Sequence, residues 1–490
     1  MTDLRKKMGV GVAWNLANML VSRGATIVFT LFLARILAPE SFGLMAMVTI
    51  CYALADAVMT SGFGQAIIRQ KHIEAVDLST AFYMNLGLSA LLYPLLYLTA
   101  PWVADYYEHP QLTALIRVIG LVLFINAFKV VQHALLQREM DFKSLMRINS
   151  VATVGSGLLA LGMAYAGYGV WSLVAQFTAM AVISTLMLWM HSDWRPQWTF
   201  STASLQRMFG FGSKLTLEGI LNVLYENSYV LVIGKLFTPE VTGLYYFAKR
   251  IRDLIVNQVN TAVQQATYPA MAQLQDQPEE LKSSYRIIVQ LLFYSITPGL
   301  MALAVFATPL FELALNERWL PAVPYLQLLC IAGILFPIHM VSLNMLKVKG
   351  RTDLVLSVGT VRKGLHLVLL AATAPFGMIP ILVGQIVAAA LSCLPYMHYS
   401  QTLLSYRYSE QLQDIFKPTV AALIAAAATW SLVSYLDPSP AITVLIGIPA
   451  YAFVYLLCGE GLAVDGQAFL KRRLQLLRLR RQERRNQVGA

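Results

Sequence analysis

The chain has 490 residues, 57% of them hydrophobic and only 13% charged, with a mean hydropathy of +0.59 and a net charge of +11. Soluble domains carry about 25% charged residues, so this composition excludes a soluble enzyme or binding module and leaves a polytopic membrane protein. At about 20 apolar residues per span, the apolar content supplies roughly 14 helices and leaves no room for a large soluble domain.

Apolar stretches predict helices at about 9–36, 41–66, 79–103, 112–136, 146–167 and 170–191. A second set falls at about 207–236, 240–267, 287–311, 321–346, 354–374 and 377–400, and two more follow at about 416–436 and 440–458. Arg5, Lys6 and Lys7 precede the first apolar segment as in a signal peptide, but that segment runs on, contains Arg23 and lacks a small-residue cleavage site, so it reads as a retained helix. One phrase occurs twice. Arg35 to Leu44 and Lys235 to Leu244 share Pro39/Pro239, Glu40/Glu240, Gly43/Gly243 and Leu44/Leu244 at an offset of 200, and a cation opens both. Each copy lies between two long apolar stretches, where Pro and Gly stop one helix and allow the next. Duplication into two related lobes follows, a recurring transporter plan. The polar segment 191–206, with Trp194, Arg195, Pro196 and Trp198, reads as their linker, its tryptophans suited to a membrane interface.

The expected organisation is therefore all-α, with about 14 transmembrane helices. An N-terminal lobe occupies 1–195, a C-terminal lobe 196–403, two further spans 404–460 and a basic tail 461–490. In that tail Leu470, Leu474 and Leu477 recur at helical spacing among arginines. It either lies on an anionic inner leaflet as an amphipathic helix or is a solvated topogenic segment, and nucleic-acid binding is not its reading. Gly155, Ser156 and Gly157 in the fifth helix read as close helix packing. The four cysteines, Cys51, Cys330, Cys393 and Cys458, stand singly in apolar stretches, and the seven histidines form no metal motif, so no metal or cofactor is expected.

With the N-terminus inside, 25 of the 37 basic residues fall in cytoplasmic segments and only Arg35, Lys235 and Arg318 on the other side. This asymmetry puts both termini in the cytoplasm and makes most of the net charge topological. Nine cations remain within spans: Arg23, Arg117, Lys129, Lys214, Lys249, Arg250, Arg252, Arg362 and Lys363. Each would cost about 2.5–3.5 kcal/mol at a lipid-facing central position, so most must face protein or water, and Arg117 is near enough to an end to snorkel. In the eighth helix Arg250, Asp253, Asn257, Asn260 and Gln264 are spaced to share one face, and Lys249 can reach Asp253 one turn on. Such a stripe implies an aqueous cavity or a polar neighbour, whereas an isolated cation such as Lys129 is equally a satisfied interhelical pair. The anions assigned to the interior are Asp56, Glu218, Glu226 and Asp253, which leaves it cationic and suited to an anionic, phosphate-bearing ligand.

The pattern resembles the polysaccharide-exporting branch of the multidrug/oligosaccharidyl-lipid/polysaccharide exporter superfamily, and within it the Wzx-type, colanic-acid-exporter-like flippases. The resemblance is carried by Gly9 to Trp14, Leu33 to Leu44 and Ser61 to Ile68. It implies a V-shaped pair of six-helix lobes with two added C-terminal helices in the inner membrane. It further implies transfer of undecaprenyl-diphosphate-linked repeat units to the periplasmic leaflet by alternating access, for lipopolysaccharide or exopolysaccharide synthesis. A polysaccharide polymerase and a chain-length regulator are the implied partners, beside the lipid-linked oligosaccharide and membrane lipids. Arg23 and the Arg250 cluster, with Lys129, Lys214, Lys249, Arg252, Asn257, Arg362 and Lys363, would form the substrate cavity. Asp56, Glu218, Glu226 and Asp253 would be available for ion coupling.

Two other readings stay open. A cation-coupled multidrug exporter of the same superfamily would show the opposite interior charge. A membrane glycan polymerase or ligase would need a large periplasmic loop and a catalytic constellation; the connections are short, and no such motif stands at a credible position.

Overall fold

A computed structural model describes residues 24–60, 64, 67–68, 73–436, 439–469, 471 and 475, with side chains at all of these except 60, 208–215, 257–266, 269 and 436. The elements among them are helical, and the chain divides into two compact units, Met1–Tyr246 and Phe247–Ala490. Ten described segments are long and apolar enough to cross a membrane, and one bent pair makes an eleventh. The protein is an all-α polytopic membrane protein.

The first unit contains α1 (Gly24–Ile36), α2 (Pro39–Thr60), α3 (Ala75–Tyr107), α4 (Gln111–Ala127), α5 (Val130–Arg138), α6 (Phe142–Tyr165), α7 (Val170–His191) and α8 (Thr202–Leu236), and takes in the first turns of α9 (Pro239–Ala272). Here α6 packs on α7, α3 on α4, and α2 on both α4 and α8. Side-chain caps start several of these helices. Glu74 and Asp77 form a reciprocal capping box on α3, and Ser201 caps α8 through the Ser204 amide. Asp141 accepts from the Ser144 hydroxyl and amide at the head of α6, and those bonds hold its carboxyl below the usual range. Gly167 and Gly169, at φ 84° and 55°, make the turn between α6 and α7. Gly157 lets α6 approach α1 so closely that an added Cβ would sit 2.5 Å from the Phe29 ring.

The segment after α7 is laced to the head of α3. The Gln197 amide donates to Ser79 Oγ (3.1 Å), the Ser201 amide to Thr80 Oγ1 (3.0 Å), and Arg207 pairs with buried Asp77 at 3.0 Å. Trp194 meets Phe82 edge to face at 5.9 Å, while exposed Trp198 stacks on Tyr83.

The repeated phrase has a shared place in the fold. The heads of α2 and α9 cross at Gly43 and Gly243, where a Cβ built on Gly43 would overlap the Pro239 carbonyl and one built on Gly243 would overlap the Pro39 carbonyl. Each such Cβ would also stand 2.9 Å from the other glycine's nitrogen. Two glycines and two prolines thus form one reciprocal backbone contact, which no residue with a side chain could make at either glycine.

The second unit continues α9 and adds α10 (Pro278–Val305), α11 (Ala307–Ala314), α12 (Val323–Ile334), α13 (Phe336–Val348), α14 (Thr352–Thr373), α15 (Met378–Leu404), α16 (Tyr408–Leu436) and α17 (Pro440–Gly461). In it α10 packs on α12 and α16, α14 on α15, and α16 on α17. Where single helices are expected at 112–136 and 321–346, the chain is divided: α4 and α5 bend by 48°, and α12 gives way to α13 at Pro337, which cannot donate to the preceding turn.

Candidate functional site

Among the described residues, two groups of the charged side chains expected within spans stand out, one in each unit. In the first unit, α2, the α4–α5 break, α6 and α7 enclose a cavity of about 360 Å³ that Asp56 and Lys129 both line. Asn126 donates to the Tyr52 hydroxyl, and that hydroxyl donates to Asp56 Oδ1 at 2.9 Å, so a relay of three side chains ends on the carboxylate. Lys129 stands at the N-terminal boundary of α5, at the bend, and lies within electrostatic reach of Asp56.

The break in the fourth predicted helix contains neither Pro nor Gly. Its cause lies on α7, where Thr185 Oγ1 donates to the Ile125 carbonyl (3.2 Å) and Trp189 Nε1 to the Phe128 carbonyl (2.8 Å). Those two donors take up carbonyls at the end of α4, and the chain can then leave the helical ladder without stranding polar groups. Tyr52, Asn126, Thr185 and Trp189 were not indicated by sequence reasoning, because each is an ordinary apolar-helix residue until its partner is known.

In the second unit Asp253 takes two cations. Arg252 Nη2 lies 2.7 Å from Oδ1, and Lys249 Nζ lies 3.5 Å from Oδ2 across one helical turn. Arg252 Nε is buried without a hydrogen-bond partner, and its stem lies beside Gly333 of α12. Arg250 is half-buried on the same turn. Arg362 and Lys363 are half-buried on α14, where the Arg362 carbonyl meets His366 Nδ1 at 3.0 Å.

The remaining candidates separate. Arg23 lies outside the described residues, as do the side chains of Lys214, Asn257, Asn260 and Gln264. Glu218 and Glu226, expected as interior anions, are exposed on α8, which also turns Leu217, Leu221 and Leu224 outward. Between residues 216 and 227 no side chain of that helix is fully buried, and Glu226 is satisfied locally by the Asn222 amide at 3.0 Å. Arg117 is half-buried and lies over the Tyr97 ring at 4.1 Å. Past the end of α3, Lys235 pairs with Glu108 at 2.9 Å and depresses that carboxyl's affinity for a proton.

The family model described as "Polysaccharide biosynthesis protein" matches residues 32–324, more than half of the chain. The chain belongs to that family. Among curated relatives of this polysaccharide biosynthesis protein, the lipopolysaccharide biosynthesis protein WzxC of Escherichia coli is 27% identical over 72% of each chain. The teichuronic acid biosynthesis protein TuaB of Bacillus subtilis is 26% identical over 61% of this chain and 62% of its own. The succinoglycan biosynthesis transport protein ExoT of Rhizobium meliloti is 25% identical over 66% of each. The fold is that of the lipid II flippase MurJ, in a structure titled as inward closed, at a TM-score of 0.73 over 92% of this chain and all of that one, with 12% identity. A multidrug MATE-family transporter follows at 0.59, covering 80% of this chain and 98% of its own, with 17% identity.

Proposed function

We propose that this protein is a flippase that moves undecaprenyl-diphosphate-linked oligosaccharide repeat units across the inner membrane by alternating access, for the synthesis of a surface polysaccharide. It is a transporter and not an enzyme, with both termini in the cytoplasm, and it works beside a polysaccharide polymerase and a chain-length regulator. The observation that carries this reading is the cluster on α9. Two cations share the single carboxylate of Asp253, so positive charge is left over on a half-buried turn of α9, with an Arg252 donor still unmatched. A half-buried cationic surplus with a planar guanidinium suits a diphosphate, while an organic cation would be repelled. The names of WzxC and ExoT, the one a lipopolysaccharide biosynthesis protein and the other a succinoglycan transport protein, support a polysaccharide precursor as cargo.

The test is complementation of a flippase-null strain. The wild-type chain restores surface polysaccharide, and Arg252→Ala or Arg250→Ala lowers export at least tenfold with membrane abundance near normal. Arg252→Lys, which keeps the charge and loses the fork, restores part of it. A wild-type chain that exports nothing, or alanine variants that lose export only in step with abundance, would sink the proposal.

A further inference from the structure

The cavity in the first unit has a different chemistry from the cluster on α9. Its charged lining, among the described residues, is Asp56 and Lys129, one of each sign, so a phosphate would gain little net attraction there and would face the carboxylate without a proton to offer it. An organic cation meets the reverse difficulty at Lys129. An apolar ligand would take water away from Asp56 and Lys129 and return no hydrogen bond, at a cost. Asn126 Oδ1 is buried and lacks a donor, and Asn149 and Gln137 bring further amides to the wall. A ring carrying several hydroxyls both donates and accepts, and it alone among these ligand classes matches acceptors at Asp56 and Asn126 and donors at Lys129 and the amides. The apolar part of the wall, which includes Ile148, suits the C–H faces of such a ring. About 360 Å³ lies at the lower end of the roughly 300–1,000 Å³ of small-molecule sites, which fits single sugar residues better than a whole repeat unit.

We infer that the cavity between α2, the α4–α5 break, α6 and α7 is a binding site for one uncharged sugar residue of the transported glycan, separate from the cationic cluster on α9. This rests on the flippase reading. It adds that sugar identity is read inside the first unit, by hydroxyl matching, and not by the charges that attract the diphosphate.

The experiment uses the full chain purified into lipid nanodiscs, titrated separately with glucose, galactose, N-acetylglucosamine and inorganic pyrophosphate, and read by thermal shift and calorimetry. At least one of the sugars raises the melting temperature. Asn149→Leu, which replaces a wall amide by an apolar group, weakens that sugar at least tenfold and leaves the pyrophosphate response unchanged, whereas Arg252→Ala does the reverse. Asn149→Asp, close in size and still an acceptor, retains sugar binding and guards against a folding defect in the leucine variant. Absence of a response to all three sugars, or a response that Asn149→Leu leaves intact, overturns the inference. The two proposals fail separately: a chain that restores export without binding sugar removes only this site, and one that binds sugar through Asn149 without restoring export removes only the flippase.

Discussion

At the scale of single residues, the charges placed inside this membrane differ in how far they are matched. The pairing of Lys249 with Asp253 was legible, because four residues along a helix place two side chains on one face. Arg252 as the nearer partner of Asp253 was not, since adjacent residues point in different directions and only rotamer and packing bring the guanidinium round. The bend that places Lys129 was equally hidden, for the donors that stabilise it lie 60 and 61 residues further along the chain. Net hydrogen bonds of this kind contribute about 0.5–1.5 kcal/mol each, and more when a buried carbonyl is left without a donor. Thr185→Val combined with Trp189→Phe is therefore expected to cost about 2–4 kcal/mol, seen as a lowered midpoint of thermal unfolding. Sugar binding in the α4–α5 cavity should weaken as well, because Lys129 and Asn126 stand at that break. A double variant as stable as the parent would mean that the bend is set by the α4 and α5 residues themselves.

At the scale of elements, most of the helices could be located by composition, and 170–191 coincides with α7 to the residue. The repeated phrase was visible as a spacing of 200, but its physical content is a contact between the heads of two helices. Gly43 and Gly243 are adjacent in space because each is bare enough to accept the other copy's proline carbonyl. An added methyl must push α2 and α9 apart, and overpacking of that kind costs about 1–3 kcal/mol or more. Gly43→Ala and Gly243→Ala are each expected to lower the melting temperature and to change how readily a cysteine placed at Glu40 or Glu240 is labelled from the far side. Gly359→Ala on α14, where nothing stands within 4 Å of the new Cβ, should do neither. Equal behaviour of the three variants would remove the helix crossing as a structural constraint.

At the scale of the whole molecule, what distinguishes a functional charge from a structural one is surplus. Asp414, at the base of α16, is 3% exposed and takes a two-point contact from Arg286 of α10, at 2.7 and 3.1 Å, with further donors in Tyr406 and Gln290. Lys282 and Arg286 also reach Glu410, and Gln290 reaches Asp465 beyond α17, so the last two helices are tied to α10 by a network in which donors and acceptors are matched. None of this is legible as a site in the sequence, because Arg286 reads as one of the cytoplasmic cations that set topology and its partner lies 128 residues away. Breaking a buried ion pair by removing one member costs about 3–5 kcal/mol, since the remaining charge is left without its counterion. Asp414→Ala is therefore expected to lose membrane abundance and thermal stability together, with export falling only in proportion to the protein that survives. Arg252→Ala should show the opposite signature, near-normal abundance with export lost, because Asp253 keeps Lys249 as a counterion and what disappears is the cluster's excess of cations over anions. Measuring export per molecule in both variants separates the two kinds of charge. If the Asp414 variant were normally abundant but inactive, the α10–α16 network would itself belong to the transport machinery.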